Sequence, residues 1–235
     1  MKTCVLIATL LVVPAFSAED EVASRLHNAK SVLAEIMAAP DKGIPEDLLN
    51  KAECIVVVPG LKSGALIVGA KYGKGFISCR GSHREGWSAP GSVRIEGGSF
   101  GFQIGGSETD VVLLVMNHDG ARRLLGDQFT LGGEGEVAAG PVGRSATAQT
   151  DVKLTAEILS WSRSRGVFAG VSLQGATLRQ DLDDNAALYG RKLTNREIVE
   201  TRVSPPQSAA ELLSLLNRYS PRETSRSTRP LNPVG

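Results

Sequence analysis

The sequence predicts an α+β fold: N-terminal helices packed on a curved, mostly antiparallel, glycine-rich and barrel-like β-sheet, with short C-terminal helices after it. Three observations predict it. Early in the chain, apolar residues recur at three- and four-residue steps, the period of a helix face. From Cys54 to about residue 178 they give way to short β-branched runs broken by glycine, with no rhythm of strand and crossover helix. Two capping-box sequences then mark helices near the C-terminal end.

The chain opens with Lys2, an apolar run from Val5 to Val13 and a small-residue exit at Ala15, Ser17 and Ala18, the pattern of an export signal over residues 1–18. That run is too short to span a bilayer, which takes ~20 residues. Cys4 follows Lys2-Thr3 and does not resemble an acylation site. A soluble exported protein is expected, periplasmic or extracellular and at most peripheral to a membrane.

Val22, Leu26, Ala29, Leu33, Ile36 and Met37 predict a helix over 20–39, with Glu19, Asp20 and Glu21 at its positive end and Pro40 after it. Gly43-Ile44-Pro45 opens a second helix to about Ala52. Cys54 to Val58 reads as a buried strand closed by Pro59-Gly60. Further strands are expected over 64–70, 75–80, 92–105, 109–117, 129–140 and 152–178, with a short helix from His118 to Gly126. Glycines inside these runs, Gly97, Gly101, Gly106 and Gly135 among them, mark bulges and bends of a strongly curved sheet. Thr194-Asn195-Arg196-Glu197 and Ser208-Ala209-Ala210-Glu211 are the capping boxes, the second ahead of Leu212, Leu213, Leu215 and Leu216. The organisation expected is one domain over 19–202, a helical extension over 203–219 and a disordered tail over 220–235.

Composition excludes several functions. Net charge is +1, which argues against nucleic-acid binding. Cys54 and Cys79 suit burial as free thiols, and an oxidising compartment would also permit a bond between them. Cys54 and Cys79, 25 positions apart, and three scattered histidines form no zinc spacing. Gly64 to Lys71 lacks the lysine and hydroxyl placement of a phosphate loop, and Gly170-Val171-Ser172 the glycine spacing of a nucleophile elbow. His27, His83 and His118 sit with no nucleophile, and the Asp183-Asp184 pair reads as solvated charge. No catalytic residue, metal or cofactor is expected.

One segment stands out, Leu159-Ser160-Trp161-Ser162-Arg163-Ser164-Arg165-Gly166. As a strand it places Trp161, Arg163 and Arg165 on one face, suited to a phosphorylated or interfacial ligand. The competing reading is a packed tryptophan with both arginines paired to acids such as Glu134, Glu136 or Asp151. Lys71, Lys74, Arg80 and Arg144 are further candidate contacts near turns.

Gly73-Lys74-Gly75-Phe76, Trp87-Ser88-Ala89-Pro90, Gln103-Ile104-Gly105-Gly106 with Asp110, Ala139 to Arg144, the run Glu157 to Gly175, and Asn185 with Tyr189-Gly190 together resemble the SYLF domain family over about residues 24–191. The resemblance implies non-enzymatic lipid binding, of phosphoinositides in eukaryotic members, with actin binding in fungal ones; exported bacterial members are similar. Those eukaryotic members use a basic N-terminal helix at membranes. Here that helix is acidic and is expected to cover the sheet instead. The expected function is binding of anionic phospholipid through phosphoinositide-like headgroups, with Trp161, Arg163, Arg165, Arg80, Arg144, Lys71 and Lys74 as lipid contacts. The alternative is an envelope structural or protein-interaction module, self-associating or docking through sheet edges or the Leu212–Leu216 helix.

Overall fold

A computed structural model describes residues 17–39, 43–65, 68–80, 86–100, 105–140, 156–164, 167–168, 173–201 and 203–221. Residues 1–16 of the expected export signal and residues 222–235 of the expected tail lie outside the described residues. Within them runs a nine-stranded sheet clad by helices, the α+β architecture the periodicities predict.

Helix α1 (Ala18–Met37) begins two residues before the expected start, because Ser17 and Asp20 form a reciprocal capping box. Its buried face is Val22, Leu26, Ala29, Val32, Leu33 and Ile36. At about 1.5–3 kcal/mol for each large buried side chain, this stripe is what holds α1 to the sheet. Helix α2 (Glu46–Lys51) follows with Pro45 at its N-cap.

The central strands are β1 (Cys54–Ala65), β2 (Val68–Cys79), β3 (Gly91–Phe100) and β4 (Gly105–Val115), all antiparallel neighbours in the order β3-β2-β1-β4. Two expectations are corrected here. The stretch 64–70, read as a strand, contains the reversal between β1 and β2, with Ala65 paired to Gly69. Pro59-Gly60, read as the end of β1, sits inside it as a bulge: register shifts between Val57 and Lys62 against β2, and between Val58 and Leu61 against β4. A proline in a central strand is tolerated at such a bulge, where the ladder is already interrupted.

Helix α3 (His118–Leu124), capped by Asn117, leads to the short β5 (Gln128–Thr130) and β6 (Val137–Ala139). They are followed by β7 (Ile158–Ser164), β8 (Val167–Phe168) and β9 (Thr177–Gln180). The sheet order is β5-β9-β3-β2-β1-β4-β7-β6, so its two edges are strands consecutive in the chain. The short link between them forces the sheet to curl until its edges approach, and Leu131 bridges Gly135 inside that link.

Curling gives two cores. On the inner face Val56, Val58, Ile77, Ile95, Leu113 and Phe129 pack together. On the outer face Ile55, Val57, Phe76, Val112, Leu159 and Trp161 pack under α1 and α2. Cys54 and Cys79, an opposed pair on β1 and β2, are buried as expected but joined in a disulfide, which corrects the free-thiol reading. Adjacent positions on neighbouring strands bring the two sulfurs together, a closeness that a separation of 25 residues does not reveal.

Three helices complete the fold: α4 (Leu182–Tyr189), α5 (Asn195–Glu200) and α6 (Ala210–Tyr219). The Thr194–Glu197 capping box forms. The Ser208 box does not, because Gln207–Ala209 winds as a 3₁₀ turn and α6 starts only at Ala210 with no side-chain cap. Leu212, Leu213, Leu215 and Leu216 are buried in the α1 core, so they are internal packing and not the docking surface considered above.

Candidate functional site

Where α1 crosses the sheet, its polar side and the strands beneath enclose an open cleft of about 760 Å³. Its floor is built by the β1 bulge. Ile55 and Val57 face the outer core while Val58 and Leu61 face the inner one, so the extra residue reverses the alternation and turns Lys62 outward into the cleft. Gly60 takes a left-handed φ of 63° there, and its N–H donates to Asp110 Oδ1 at 3.0 Å.

Four cations reach the cleft from four elements: Arg25 on α1, Lys62 on β1, Lys74 on β2 and Arg163 on β7. Five carboxylates reach it as well, from Asp20, Glu21, Glu35, Glu108 and Asp110. Most of these charges are committed to one another. Arg163 pairs with Glu35 on α1 and lies 3.4 Å from Asp110, its register partner on β4, while its buried Nε has no hydrogen-bond partner among the described residues. Arg25 pairs with Glu21 and Asp184, and Lys74 lies 2.9 Å from Asp184 and 3.0 Å from Asp181 at the N-terminus of α4. Burial works against the Lys74 charge, but the hydrogen bonds and charges of Asp184 and Asp181 outweigh it and hold its pKa above the ordinary lysine value. Burial likewise opposes the Asp181 charge, and the bonds from Lys74 and the Asp184 N–H outweigh it, keeping that carboxyl below its ordinary value.

Two charged side chains remain. Lys62 and Glu108 are direct register partners on β1 and β4, both exposed, and neither side chain has a partner among the described residues. On the other side of Lys62, its β2 partner is Tyr72, 48% exposed and one of two large apolar side chains so placed among the described residues. Tyr72, Lys62 and Glu108 thus form one row across three strands at the mouth of the cleft.

The residues singled out in the sequence are dispersed by the fold. Arg163 and Lys74 share this cleft. Trp161 lies on the same face as Arg163, but only 2% of it is exposed, and it packs so tightly that a Cβ on Gly140 would come within 2.6 Å of its ring. Lys71 is one position out of phase with Lys74 and points to the opposite face of β2. Arg80 stacks on Trp87 at 4.1 Å and donates to the carbonyl and hydroxyl of Ser220, tying down the end of α6. Arg144 and Arg165 lie outside the described residues. The acids that meet Arg163 are not those considered in the sequence. Lys62, Tyr72, Glu108 and Arg25 went unremarked there, and the one signal for them was the Pro59-Gly60 break that turns Lys62 over.

Among the described residues no group of His, Cys, Asp and Glu is arranged to hold a metal ion, and no helix is long and apolar enough to cross a membrane.

Comparison with known proteins gives a consistent answer. Residues 96–219 match the family described as Ysc84, Las17-binding protein actin regulator. The chain is 32% identical over 192 residues to the SH3 domain-containing YSC84-like protein 1 of Rattus norvegicus, covering 81% of this chain and 56% of the relative. It is 34% identical over 184 residues to the Xenopus laevis protein of the same name, covering 77% and 54%. With LAS seventeen-binding protein 3 of Saccharomyces cerevisiae it shares 32% identity over 196 residues, covering 80% and 42%. The chain spans about half the length of the curated relatives it matches.

Proposed function

The chain belongs to the Ysc84/SYLF family, and from that premise we propose that it is a non-enzymatic binding module that takes phospholipid headgroups into the cleft between α1 and the sheet. The observation that carries this reading is the row at the cleft mouth: a lysine with no internal partner beside a half-exposed tyrosine. Lysine binds phosphate as a point charge, and an amphipathic aromatic ring suits the boundary between headgroup and water. Arg163 and Lys74 stay anchored to their own carboxylates, so Lys62 is the cation left to meet a phosphate. Because carboxylates around the cleft outnumber cations, a multiply phosphorylated inositol headgroup would be repelled, and a single phosphate fits better. Charge alone attaches weakly, at ~1 kcal/mol per cation near an anionic surface, so the shaped cleft has to supply the rest.

We place this activity outside the cytoplasm and peripheral to a membrane. The apolar segment Val5–Val13 and the Cys54–Cys79 disulfide support that placement, since disulfides persist in oxidising compartments. Vesicle co-sedimentation of the purified chain tests the reading. Binding that weakens with salt and drops in Lys62→Glu is the expected result; equal binding by Lys62→Glu would refute the cleft as the site. A protein partner is the second reading, favoured by the name of the yeast relative, and a stable partner recovered together with no vesicle association would replace the first.

A further inference from the structure

Resting on the lipid reading above, we propose that the cleft selects a headgroup carrying both a phosphate and a primary ammonium, a zwitterionic phospho-amine of the ethanolamine type. The inference comes from what is left after the internal pairings are removed. Arg25, Lys74 and Arg163 are neutralised by carboxylates they already touch, the Asp20 carboxylate accepts from the Ser17 N–H and hydroxyl in the α1 capping box, and Asp110 holds both Gly60 and Arg163. The uncommitted charges are one of each sign, Lys62 and Glu108, on directly paired positions.

Opposite charges on paired positions of neighbouring strands ordinarily reach each other and close an ion pair. Here they stay apart. A ligand that satisfies both must itself carry both signs, at a spacing near that of two adjacent strands, about 4.8 Å. A phosphate joined to an amine through two carbons meets that requirement. Its phosphate faces Lys62, its ammonium donates hydrogen bonds to the Glu108 carboxylate, and Tyr72 offers a flat face beside them. A simple anionic headgroup would satisfy Lys62 and leave Glu108 without a counter-charge. A quaternary ammonium would lack the N–H donors that a carboxylate accepts.

The test uses the full folded chain and two kinds of probe. Soluble O-phosphoethanolamine and glycerol phosphate report headgroup chemistry by calorimetric titration. Phosphatidylcholine vesicles doped with phosphatidylethanolamine or with phosphatidylglycerol report whether the source is a lipid. The expected result is a preference of about tenfold for the ethanolamine form in both arms, equivalent to ~1.4 kcal/mol, abolished by Glu108→Gln while near-ultraviolet circular dichroism stays that of the wild type. Equal or stronger binding of the glycerol form by the wild type would overturn the selectivity and leave lipid binding standing. Vesicle binding that persists with selectivity intact in Glu108→Gln would overturn the role of that residue. Binding of soluble O-phosphoethanolamine with no vesicle association would keep the site and overturn the lipid reading, and no binding of any probe would overturn both.

Discussion

Replacing Gly75 with alanine tests the feature on which the cleft depends, the close passage of the β1 bulge over β2. An ideal Cβ at Gly75 would lie 2.8 Å from the Cα of Val58 and 2.9 Å from the carbonyl carbon of Val57, and nearer still to the Val57 oxygen. These are main-chain atoms of a strand fixed on one side by β2 and on the other by β4, so no side chain can swing away to make room. Overpacking costs about 1–3 kcal/mol, and contact with backbone puts this case at the upper end. Alanine recovers roughly 0.5–1 kcal/mol over glycine in a strand through the unfolded chain. The net loss is therefore about 2 kcal/mol, or ~4–8 °C in Tm for a domain of this size. Thermal and denaturant unfolding measure it, with Gly64→Ala as the control: nothing lies within 4 Å of its ideal Cβ, so it should keep the gain of roughly 0.5–1 kcal/mol without the clash. A Gly75→Ala variant as stable as that control would refute the bulge as a rigid element.

Asp181 keeps its proton-free form below the ordinary carboxylate range, so its stabilisation is present above about pH 4 and is lost as pH falls through its folded value. Asp181→Asn should therefore flatten the acid limb of a stability profile taken from pH 7 to pH 2.5. Lys74 has the opposite sign: its contribution is present at neutral pH and is lost as pH rises through its raised value, above the ordinary lysine range, and Lys74→Met should flatten the alkaline limb. Replacing both Cys54 and Cys79 with alanine opens a covalent loop spanning a separation of 25 residues and should lower stability by about 3.5 kcal/mol in denaturant titration. Arg80→Ala releases Ser220 and uncovers Trp87, so amide exchange should quicken in Ala210–Tyr219 while vesicle binding stays at the wild-type level.

What the sequence made legible is what local periodicity determines. The spacing from Val22 to Ile36 defines α1 because each of those residues sits on one buried stripe. The alternation of Leu159, Trp161 and Arg163 defines the face of β7 because a strand leaves no other choice. Turns were harder. The reversal between β1 and β2 falls after Ala65 and before Val68, in a stretch of sequence that carries no turn residue, whereas Pro59-Gly60 looks like a stop and is a bulge. After Pro205-Pro206 the chain winds as a single 3₁₀ turn, so Ser208 falls one residue short of the N-cap position it was read as filling. The closing edges β5 and β6 are three residues each, too short to show a period.

The site was less legible than the fold for a different reason. A cation in a sequence is a candidate ligand contact only until its internal partner is known, and that partner is set by tertiary register. Arg163 met Glu35 from α1 and Asp110 from β4, 128 and 53 positions away, and Lys74 met two acids at the start of α4. No local pattern joins those residues. Subtracting the pairs changes which residues matter: Arg163, drawn from the motif, becomes part of the frame that docks α1, and the cleft residues left facing solvent are Lys62, Glu108 and Tyr72, which belong to no conspicuous motif. A domain that holds its strongest cations in internal pairs presents a weak, mixed-charge surface, and such a surface discriminates by the arrangement of signs more than by total charge. The ligand is then to be sought among molecules whose own charges are paired.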